Sequence, residues 1–499
     1  MVHKWVSMSV HMTMDPAEQV TASWETDLDE LSRWLPHVLV ALAATFWAAW
    51  FARLAVTSWN GFWFGVFDLG IFDQGVWLLS KGADPFITLR GLHLFGDHSS
   101  WVLILVAPLY LVWPNINLLV ILAAVVPAIA AWLSFRIGLV EGLRTWPAAA
   151  IGIAVLLHPA MAWTTWDSFH PETLAIALIP AAYLAARRGH PWWFVTLGTL
   201  VGMVKEDAFL VVIPLAIYIG WRWKELRLHA IGLGFIIAGL AVFNFGVALP
   251  AFSPTGELIY SGRYSWETGL VITWSRLEYL AAMLLPIAIA LRAPLLLAIA
   301  GPITAANLAS SFPYQQEIRW HYSAYLLGVI AIAAPVGLAK LFGSWGSDVG
   351  LGLASSKRNF TFPLVVPILV IAFAGLMILG PDVTFSGDWG GASPERQADF
   401  YAAVDMIPDD AVVAASHSFA PHLAHRTRIY MLPNPWVADS WGVTEQLPPQ
   451  ADPSEIEWIV INLVSAGETE RAAVDQAIAN DWTEAASGDG YTVLKAPSR

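Results

Sequence analysis

Long apolar runs alternate with short polar turns along the first 380 residues of the chain. A membrane span needs about 20 mainly apolar residues, and eleven runs approach that length. They are residues 36–56, 116–137, 146–163, 172–187, 191–204, 207–221, 229–250, 276–291, 293–309, 321–341 and 362–380. The apolar run 102–112 is too short to cross and is followed by Pro114, so it predicts a half-span at the outer surface. The pattern predicts a mainly α-helical, polytopic membrane protein.

Basic residues fall at every second turn between these runs. Short loops rich in Lys and Arg stay cytoplasmic, which assigns one set of turns to the inside. These residues are Arg136, Arg144, Arg187, Arg188, Arg222, Lys224, Arg227, Arg292, Lys340, Lys357 and Arg358. We therefore expect a multi-pass protein of the plasma membrane with a cytoplasmic N-terminus. The odd number of spans predicts an extracytoplasmic C-terminus.

The pattern changes after residue 380. Strand-like runs (AVVAAS at 411–416, RIYMLP at 428–433, WIVINL at 458–463 and YTVLKA at 491–496) alternate with helix-like stretches at 395–407 and 468–480. This alternation predicts a small α/β domain. The chain thus divides into a cytoplasmic segment 1–35, a transmembrane domain 36–380 and an extracytoplasmic domain 381–499. Within the transmembrane domain, the aromatic-rich outer loop 57–101 predicts short helices lying in the membrane interface.

Composition agrees with a membrane protein and excludes several chemistries. Of the 499 residues, 57% are hydrophobic and only 13% are charged, unlike a soluble domain. The net charge of -13 argues against nucleic acid as a partner. The absence of cysteine excludes disulfides, thiolate metal sites and a cysteine nucleophile. The sequence has no P-loop, GxSxG or HExxH motif, and no certain cofactor is expected.

Five unusual polar clusters fall on the side assigned to the outside. They are FDLGIFDQ (67–74), GDH (96–98), WDSFHPE (166–172), KED (205–207) and QQEIRWHY (315–322). Ionisable groups beside hydrocarbon are costly to desolvate and are usually retained for function. We therefore predict that these clusters form one site.

Asp68 and Asp73 are candidates for a general base. Five residues apart on an ideal helix, they point about 140° from each other, so both reach one cavity only if Gly70 bends the helix. An apolar surrounding would raise the basicity of such a carboxylate. The alternative is that both acids solvate or cap an interfacial helix.

Two imidazoles are further candidates. His98 follows an aspartate, and such a pair can orient a substrate or offer metal ligands, although a surface turn is an equal alternative. Around His170, capping by Asp167 or the next serine, with Pro171 and Glu172 in the first turn, explains most of the segment. It does not explain His170, which we assign with Glu172 to substrate binding.

The last two clusters offer cations. Lys205 is unexpected at an outer turn, where a lipid phosphate would provide its counter-charge. An ion pair with Glu206 or Asp207 is the alternative. We assign Lys205 and Glu206 to substrate binding. Arg319 with His321 and Tyr322 can bind a diphosphate and stabilise it as a leaving group, whereas snorkelling would also explain Arg319. Tyr260 and Arg263 are weaker candidates of the same kind.

The ordered segments FDLGIFDQGVW, GDHSSWVLILVAPLYLVWP, DSFHPETLAIAL, VKEDAFLVV, RWHYSAYL and IPDDAVVAASHSFAPHLAHRTRIYMLPNP resemble the polytopic membrane family catalogued as domain of unknown function 2079. That family is similar in turn to the C-type glycosyltransferase superfamily, which includes dolichyl-phosphate-mannose-like and lipid A aminoarabinose transferases. The second resemblance rests on the acidic first outer loop, the APLYLVWP segment and the lysine at an outer turn.

This resemblance implies a membrane enzyme that moves a sugar from a polyprenyl-phosphate-type donor to an acceptor at the extracytoplasmic face. Asp68 would match the catalytic acid of the first loop, and Lys205 would match the lysine near the lipid phosphate. The loop departs from the superfamily in having DLGIFD instead of adjacent acids. Asp73 and His98 would orient substrate, while Arg319 and His321 would hold phosphate. Metal dependence stays open, with a divalent ion as the candidate.

Two other classes of function stay open at this stage. A lipid or polysaccharide transporter would use the same charges to line a path, but should place ionisable residues at mid-span and on both sides. A non-catalytic assembly subunit would bind a partner through its outer domain, and its polar clusters should then be dispersed.

Overall fold

The computed structural model describes residues 16–264, 273–348, 362–382, 390–439, 447 and 450–497. Residues 1–15 of the predicted cytoplasmic segment lie outside this part of the chain. So do Lys357 and Arg358, which contributed to the predicted orientation.

The membrane part is built from helices broken by short turns. Its α-helices are α1 (Pro16–Asn60), α2 (Ile71–Ser80), α3 (Leu94–Asp97), α4 (Leu103–Val112), α5 (Asn117–Val140), α6 (Thr145–Leu156), α7 (Pro159–Trp166), α8 (Ala175–Arg187), α9 (Pro191–Gly202), α10 (Phe209–Arg222), α11 (Arg227–Phe243), α12 (Leu249–Phe252), α13 (Trp274–Leu284), α14 (Pro294–Leu297), α15 (Gly301–Ala309), α16 (Ala324–Asp348) and α17 (Phe362–Leu379). Shorter 3₁₀ or π turns occupy Val66–Gly70, Pro171–Leu174, Glu206–Ala208, Lys224–Leu226, Asn244–Ala248, Ser261–Arg263, Leu285–Arg292, Ala298–Ala300, Pro313–Gln316 and His321–Ser323.

Proline sets several of the helix starts. Pro159, Pro171 and Pro191 each occupy the first turn of a helix, where the missing N–H loses no hydrogen bond. The structure confirms the mainly helical class, but it does not confirm eleven spans. By length and composition, five helices of the described residues could cross a membrane, or six if α6 and α7, bent by 42°, form one span. Several predicted spans are shorter helices of 12 to 14 residues.

Small residues let the central helices approach closely. In α6, Ala148 and Ala154 are buried against α5, and a Cβ added at Gly152 would lie 2.9 Å from the carbonyl oxygen of Ala131. Close backbone approach of this kind replaces the hydrophobic effect as the main packing force between helices in lipid. The outer ends of these helices therefore form a rigid base for the side chains described below.

The segment between α1 and α4 is called the first outer segment, after its predicted side of the membrane. It contains α2, α3 and a two-stranded antiparallel ribbon of β1 (Phe86–Ile87) and β2 (Leu92–His93). Two of the aromatic rings of residues 57–101 lie against the C-terminal domain. Trp59 stacks on His422 with ring centroids 3.6 Å apart, and Phe62 packs edge-on against Phe400. The C-terminal domain thus buries both rings, and the interfacial position of the loop stays a prediction.

The C-terminal region forms the expected small α/β domain. A five-stranded sheet of order β4-β3-β5-β7-β6 consists of β3 (Val413–Ala415), β4 (Ile429–Met431), β5 (Trp458–Asn462), β6 (Thr483–Gly488) and β7 (Tyr491–Lys495). Strands β4, β3 and β5 are parallel, while β7 and β6 are antiparallel. The helices are α18 (Pro394–Val404) and α19 (Glu468–Ala479), with short turns at Ala420–Leu423 and Pro453–Glu455.

Both faces of the parallel strands are covered, which explains why they are apolar throughout. Ile459 and Ile461 pack with Val474 of α19 on one face. On the other face, Val413 and Val460 belong to the main core of the molecule. The sheet is thus held between its own helix and the first outer segment.

Hydrogen bonds tie this domain to the first outer segment. The Val66 N–H donates to the carbonyl oxygen of His417 at 3.1 Å. The Ile429 N–H donates to the Thr88 hydroxyl at 3.0 Å, and Gln74 donates to the carbonyl oxygen of Arg426 at 3.1 Å. Buried backbone groups need such partners, so the two parts form one continuous structure.

We expect Gly65→Ala to loosen this docking. A Cβ at this position would lie 1.8 Å from Nε2 of His417, and relieving such an overlap costs about 1–3 kcal/mol. Thermal unfolding in detergent should shift downward, and limited proteolysis of residues 390–497 should accelerate. Gly301→Ala is the matched control because its Cβ would meet nothing within 4 Å. Equal stability and proteolysis of the two variants would contradict the docking role.

Candidate functional site

A cavity of about 700 Å³ lies between the outer segment, the ends of the membrane helices and the C-terminal domain. The side chains that line it from the membrane part include most of the polar clusters. They are Phe67, Asp68, Phe72, Arg90, Asp97, His98, Asp167, His170, Glu172, Tyr260, Arg263, Phe312, Tyr314, Trp320, His321 and Tyr322. Four of the five predicted clusters therefore contribute directly to one cavity.

A chain of acids and imidazoles forms the floor. Asp68 lies in the turn before α2, and its Oδ2 is 2.7 Å from Nε2 of His170. The rings of His170 and His321 stack with centroids 3.6 Å apart. Asp167 accepts from the backbone N–H of His321 at 2.8 Å and lies 3.0 Å from its Nδ1. Three separate parts of the sequence are thereby joined through direct contacts.

Asp68 is the most accessible member of this chain. Its side chain is 39% exposed, whereas those of His170 and Asp167 are 2% and 7% exposed. Asp68 can therefore touch a molecule in the cavity, while His170 and Asp167 are largely covered by their neighbours.

The charges of this network support one another. Burial favours the neutral forms, but Asp167 and Asp68 outweigh it and raise the pKa of His170 to about 9. Burial also acts to raise the pKa of Asp68, yet the charge of His170 holds that pKa well below its usual range. The expected increase in the basicity of Asp68 is therefore not found, because a cation lies against it. Burial raises the pKa of Asp167 to about 8.

A buried ion pair lies beside this network. Lys205 donates to Glu172 at 2.6 Å, and the two residues are only 5% and 4% exposed. The Nζ atom of Lys205 also lies 5.3 Å from the centre of the Tyr322 ring. Glu172 in turn lies 3.8 Å from Nε2 of His321. The lysine thus pairs with the acid of another cluster rather than with its sequence neighbour Glu206.

Glu206 of the KED cluster contacts His98 and its neighbour Ser99. Glu206 lies 2.9 Å from Nδ1 of His98 and accepts from the backbone N–H of Ser99 at 3.0 Å. Lys205 and Glu206 line a smaller cavity of about 250 Å³, which shares His98 and Tyr322 with the main cavity. The clusters GDH, KED and QQEIRWHY therefore meet where the two cavities adjoin.

Two arginines line the main cavity. Arg90 donates to the Tyr260 hydroxyl at 3.1 Å and pairs with Asp97 at 3.8 Å. The guanidinium of Arg263 lies 4.1 Å from the ring centres of both Tyr260 and Phe312. These residues bring positive charge to the wall adjoining His98.

Two residues of the predicted site lie elsewhere. Asp73 accepts from the Tyr110 hydroxyl at 2.6 Å and contacts His425 at 3.2 Å, so it points away from the main cavity. The turn before α2 separates it from Asp68, and the helix bend needed for both to share a cavity does not occur. Arg319 is exposed and lies over the Trp163 ring at 5.2 Å. The aromatic ring and solvent satisfy this arginine outside the cavity.

The sequence offered Asp167 or Ser168 as the cap of the helix that begins at Pro171, and the structure corrects this. The residue before the Pro171–Leu174 turn is His170, while Asp167 follows the end of α7 and contacts His321. The role of Arg90 carried no signal in the sequence. His417, which lines the cavity, follows the predicted strand 411–416. The rule that α/β domains bind ligands beyond the carboxyl ends of parallel strands could have found it.

Among the described residues, one group has the geometry to hold a metal ion. One ligand atom from each of Asp68, His170 and His321 can be chosen so that all three lie within 4.8 Å of one another. Two imidazoles and a carboxylate suit zinc or another divalent first-row metal.

A family model described as "Predicted membrane protein (DUF2079)" matches residues 61–494 of the chain. No curated protein matches it. Two solved structures of ArnT from Cupriavidus metallidurans share the fold. The apo form has 15% identity and a TM-score of 0.55, with 92% of this chain and 100% of that chain covered. The form bound to undecaprenyl phosphate has 13% identity and a TM-score of 0.54, with 93% and 98% covered. At these identities the similarity shows the fold alone.

We expect Lys205→Met to destabilise the protein strongly. The substitution leaves Glu172 buried without its partner, and breaking such a pair costs about 3–5 kcal/mol. The double variant Lys205→Met with Glu172→Gln should recover much of that loss, because no unpaired charge is left. Thermal unfolding in detergent measures both effects. If the single and double variants unfold alike, then the ion pair does not stabilise this junction.

Proposed function

The chain belongs to the DUF2079 family of predicted membrane proteins, and from that premise we propose that it is a glycosyltransferase using a lipid-linked sugar. The donor would be a polyprenyl-phosphate-type lipid, and transfer would take place at the extracytoplasmic face. The observation that carries the proposal is the cavity in which Asp68, two imidazoles and two arginines meet beside the membrane part. The ArnT-like fold, and the capture of one ArnT structure with undecaprenyl phosphate, support a lipid phosphate as the ligand.

The cations of the cavity would bind the phosphate of the donor. Arg263 and Arg90 line the main cavity, and Lys205 lies at its junction with the smaller one. A guanidinium binds phosphate through two parallel hydrogen bonds, which suits a leaving group that gains charge as its bond to the sugar breaks. Arg263 therefore takes the role that sequence reasoning gave to Arg319. His321 would contact the same phosphate from the floor.

Asp68 would act on the acceptor. An acceptor hydroxyl or amine attacks the anomeric carbon, and the bond between that carbon and the phosphate oxygen breaks. The proton of the acceptor passes to Asp68 as the new bond forms. Because His170 keeps Asp68 ionised, the carboxylate is ready to accept a hydrogen bond from the acceptor before the reaction begins.

The arrangement favours an enzyme over a transporter. The ionisable side chains that line the cavity come from the first outer segment, from turns between the membrane helices and from the C-terminal domain. A translocation path needs such groups at mid-span and at both ends. Group transfer requires that the reacting groups are held together in one cavity.

We also propose that Asp68, His170 and His321 bind a divalent cation. Such an ion would supply positive charge to the phosphate of the donor. Binding of the ion would require a neutral His170, and the charge of the ion would then replace that of the imidazolium in keeping Asp68 ionised.

Asp68→Asn should reduce sugar transfer by about 10²–10⁴-fold, the usual contribution of a general base. The assay uses purified full-length protein with a panel of undecaprenyl-phosphate-linked sugars and detects any glycosylated product by mass spectrometry. Asp84→Asn is the matched control, since Asp84 lies in the same outer segment with its side chain 77% exposed.

Each outcome of this assay is informative. Undecaprenyl phosphate should bind the Asp68→Asn variant as it binds the wild type, because the cations are intact. Transfer at the wild-type rate would reject Asp68 as the base. Binding of the lipid with no turnover of any donor by the wild type would reject the proposed activity.

Metal analysis tests the cation site independently of turnover. After incubation with Zn²⁺ or Mn²⁺ and gel filtration, the wild type should retain about one ion per chain, since the site offers three protein ligands. His321→Gln should lose most of that ion, whereas the exposed His190→Gln should not. Equal metal content in wild type and His321→Gln would contradict the site.

A further inference from the structure

The cavity has a second wall, which the C-terminal domain supplies. We call it the outer wall, and it contains His417, Met431, Pro433, Asp439, Thr469 and Glu470. The outer wall lines the same cavity as the two arginines and Asp68. Its chemistry therefore bears on the part of the reaction that the membrane part does not explain.

The outer wall is the carboxyl edge of the three parallel strands. His417 follows the end of β3, and Met431 is the last residue of β4. The connection after β5 leads to α19, whose first turn brings Thr469 and Glu470 to the cavity. In open α/β sheets, ligands bind in the crevice outside the carboxyl ends of the strands. All three parallel strands of this domain direct that edge into the cavity.

The two walls differ in their cations. Among the described residues that line the cavity, both arginines belong to the membrane part, where they lie among the carboxyl groups of Asp68, Asp97, Asp167 and Glu172. Within the same described residues, the outer wall contributes no lysine or arginine to this lining and offers the carboxyl groups of Asp439 and Glu470 and the hydroxyl of Thr469. Met431 and Pro433 add apolar surface between them. Carboxylates repel phosphate and accept hydrogen bonds from hydroxyl or ammonium groups. A sugar ring offers both such donors and an apolar face.

The outer wall is also fixed close to the reacting carboxylate. The ring of His417 packs against Gly65 and lies 5.9 Å from the Phe67 ring, next to Asp68 in the chain. Asn434 holds the backbone of Asp439 through two hydrogen bonds of 3.2 Å. Glu470 accepts from the backbone N–H of Gly467 at 3.1 Å. The end of the outer wall at His417 therefore lies beside the segment that carries Asp68.

We propose that the outer wall is the acceptor subsite and that the acceptor is a carbohydrate whose bound part carries hydroxyl or amino groups and no phosphate. This inference rests on the proposed function, since it divides the cavity of that enzyme between donor and acceptor. The membrane wall binds the phosphate of the donor. The outer wall binds the acceptor and presents one of its hydroxyl or amino groups to Asp68.

Binding measurements test this division without turnover. Full-length protein in lipid nanodiscs is titrated with methyl hexosides and methyl 2-amino-2-deoxyhexosides, with their 6-phosphates in parallel, by saturation-transfer NMR. The double variant Asp439→Asn with Glu470→Gln should weaken binding of an unphosphorylated glycoside about tenfold, since two charge-assisted hydrogen bonds are lost. A glutamine at position 470 can still accept from the Gly467 N–H, so α19 keeps its cap.

Two controls separate this inference from the proposed function. Glu468→Gln changes the same kind of side chain in the same helix turn without lining the cavity, and it should bind the glycosides normally. Undecaprenyl phosphate should bind the double variant as it binds the wild type. A failure of the proposed function would appear as no transfer, whereas this subsite is measured by binding alone.

Three results would overturn the inference. The first is that no glycoside of the panel binds the wild type. The second is that the double variant binds the glycosides as tightly as the wild type does. The third is that the 6-phosphates bind more tightly than the unphosphorylated glycosides.

Discussion

Charge compensation among buried side chains is the constraint on which the site depends. Lys205, Glu172, His170 and Asp167 are almost fully removed from solvent, and each has an oppositely charged or hydrogen-bonding neighbour from another part of the sequence. An isolated charge in such a place would cost several kcal/mol. The ends of the membrane helices must therefore meet in one arrangement. The contact with buried His170 fixes the position of Asp68, although the Asp68 side chain is itself open to the cavity.

Docking of the C-terminal domain converts this ordered surface into a cavity. The domain contributes the far wall, and its contacts with the outer segment involve backbone groups as well as aromatic packing. Backbone hydrogen bonds fix position more strictly than apolar contact alone. The distance between the two walls is thus set by the fold, which is the condition for bringing two substrates together in reactive geometry.

The mainly helical fold and the small α/β domain could be predicted from the sequence, because membrane helices and parallel strands have strong apolar patterns. The strands β3, β4, β5 and β7 fall inside the predicted runs, whereas β6 was missed because its residues are mostly exposed at an edge and lack an apolar pattern. Span number was harder to predict. Helices enclosed by protein need not have the full length of a membrane crossing.

Part of the candidate site could also be predicted from the sequence, and part could not. Polar residues beside apolar runs, such as His170 and His321, are conspicuous, so their convergence could be predicted. The partners of Lys205 could not, because position in the chain does not reveal which acid lies opposite in space. Asp73 illustrates the converse. Its proximity to Asp68 in sequence suggested a shared role, while the backbone stays helical through Gly70 and the two side chains reach different neighbours.

The outer wall is synthesised after the part of the chain that carries Asp68. Asp68 emerges from the ribosome about 350 residues before His417 and the strands that face it, so a nascent chain has the reactive half of the cavity without its cover. Completion of the cavity therefore waits for residues 390–497 to fold. Until then Asp68 and the arginines of the membrane part stay open to water, so the closed form of the cavity belongs only to chains in which this domain has docked.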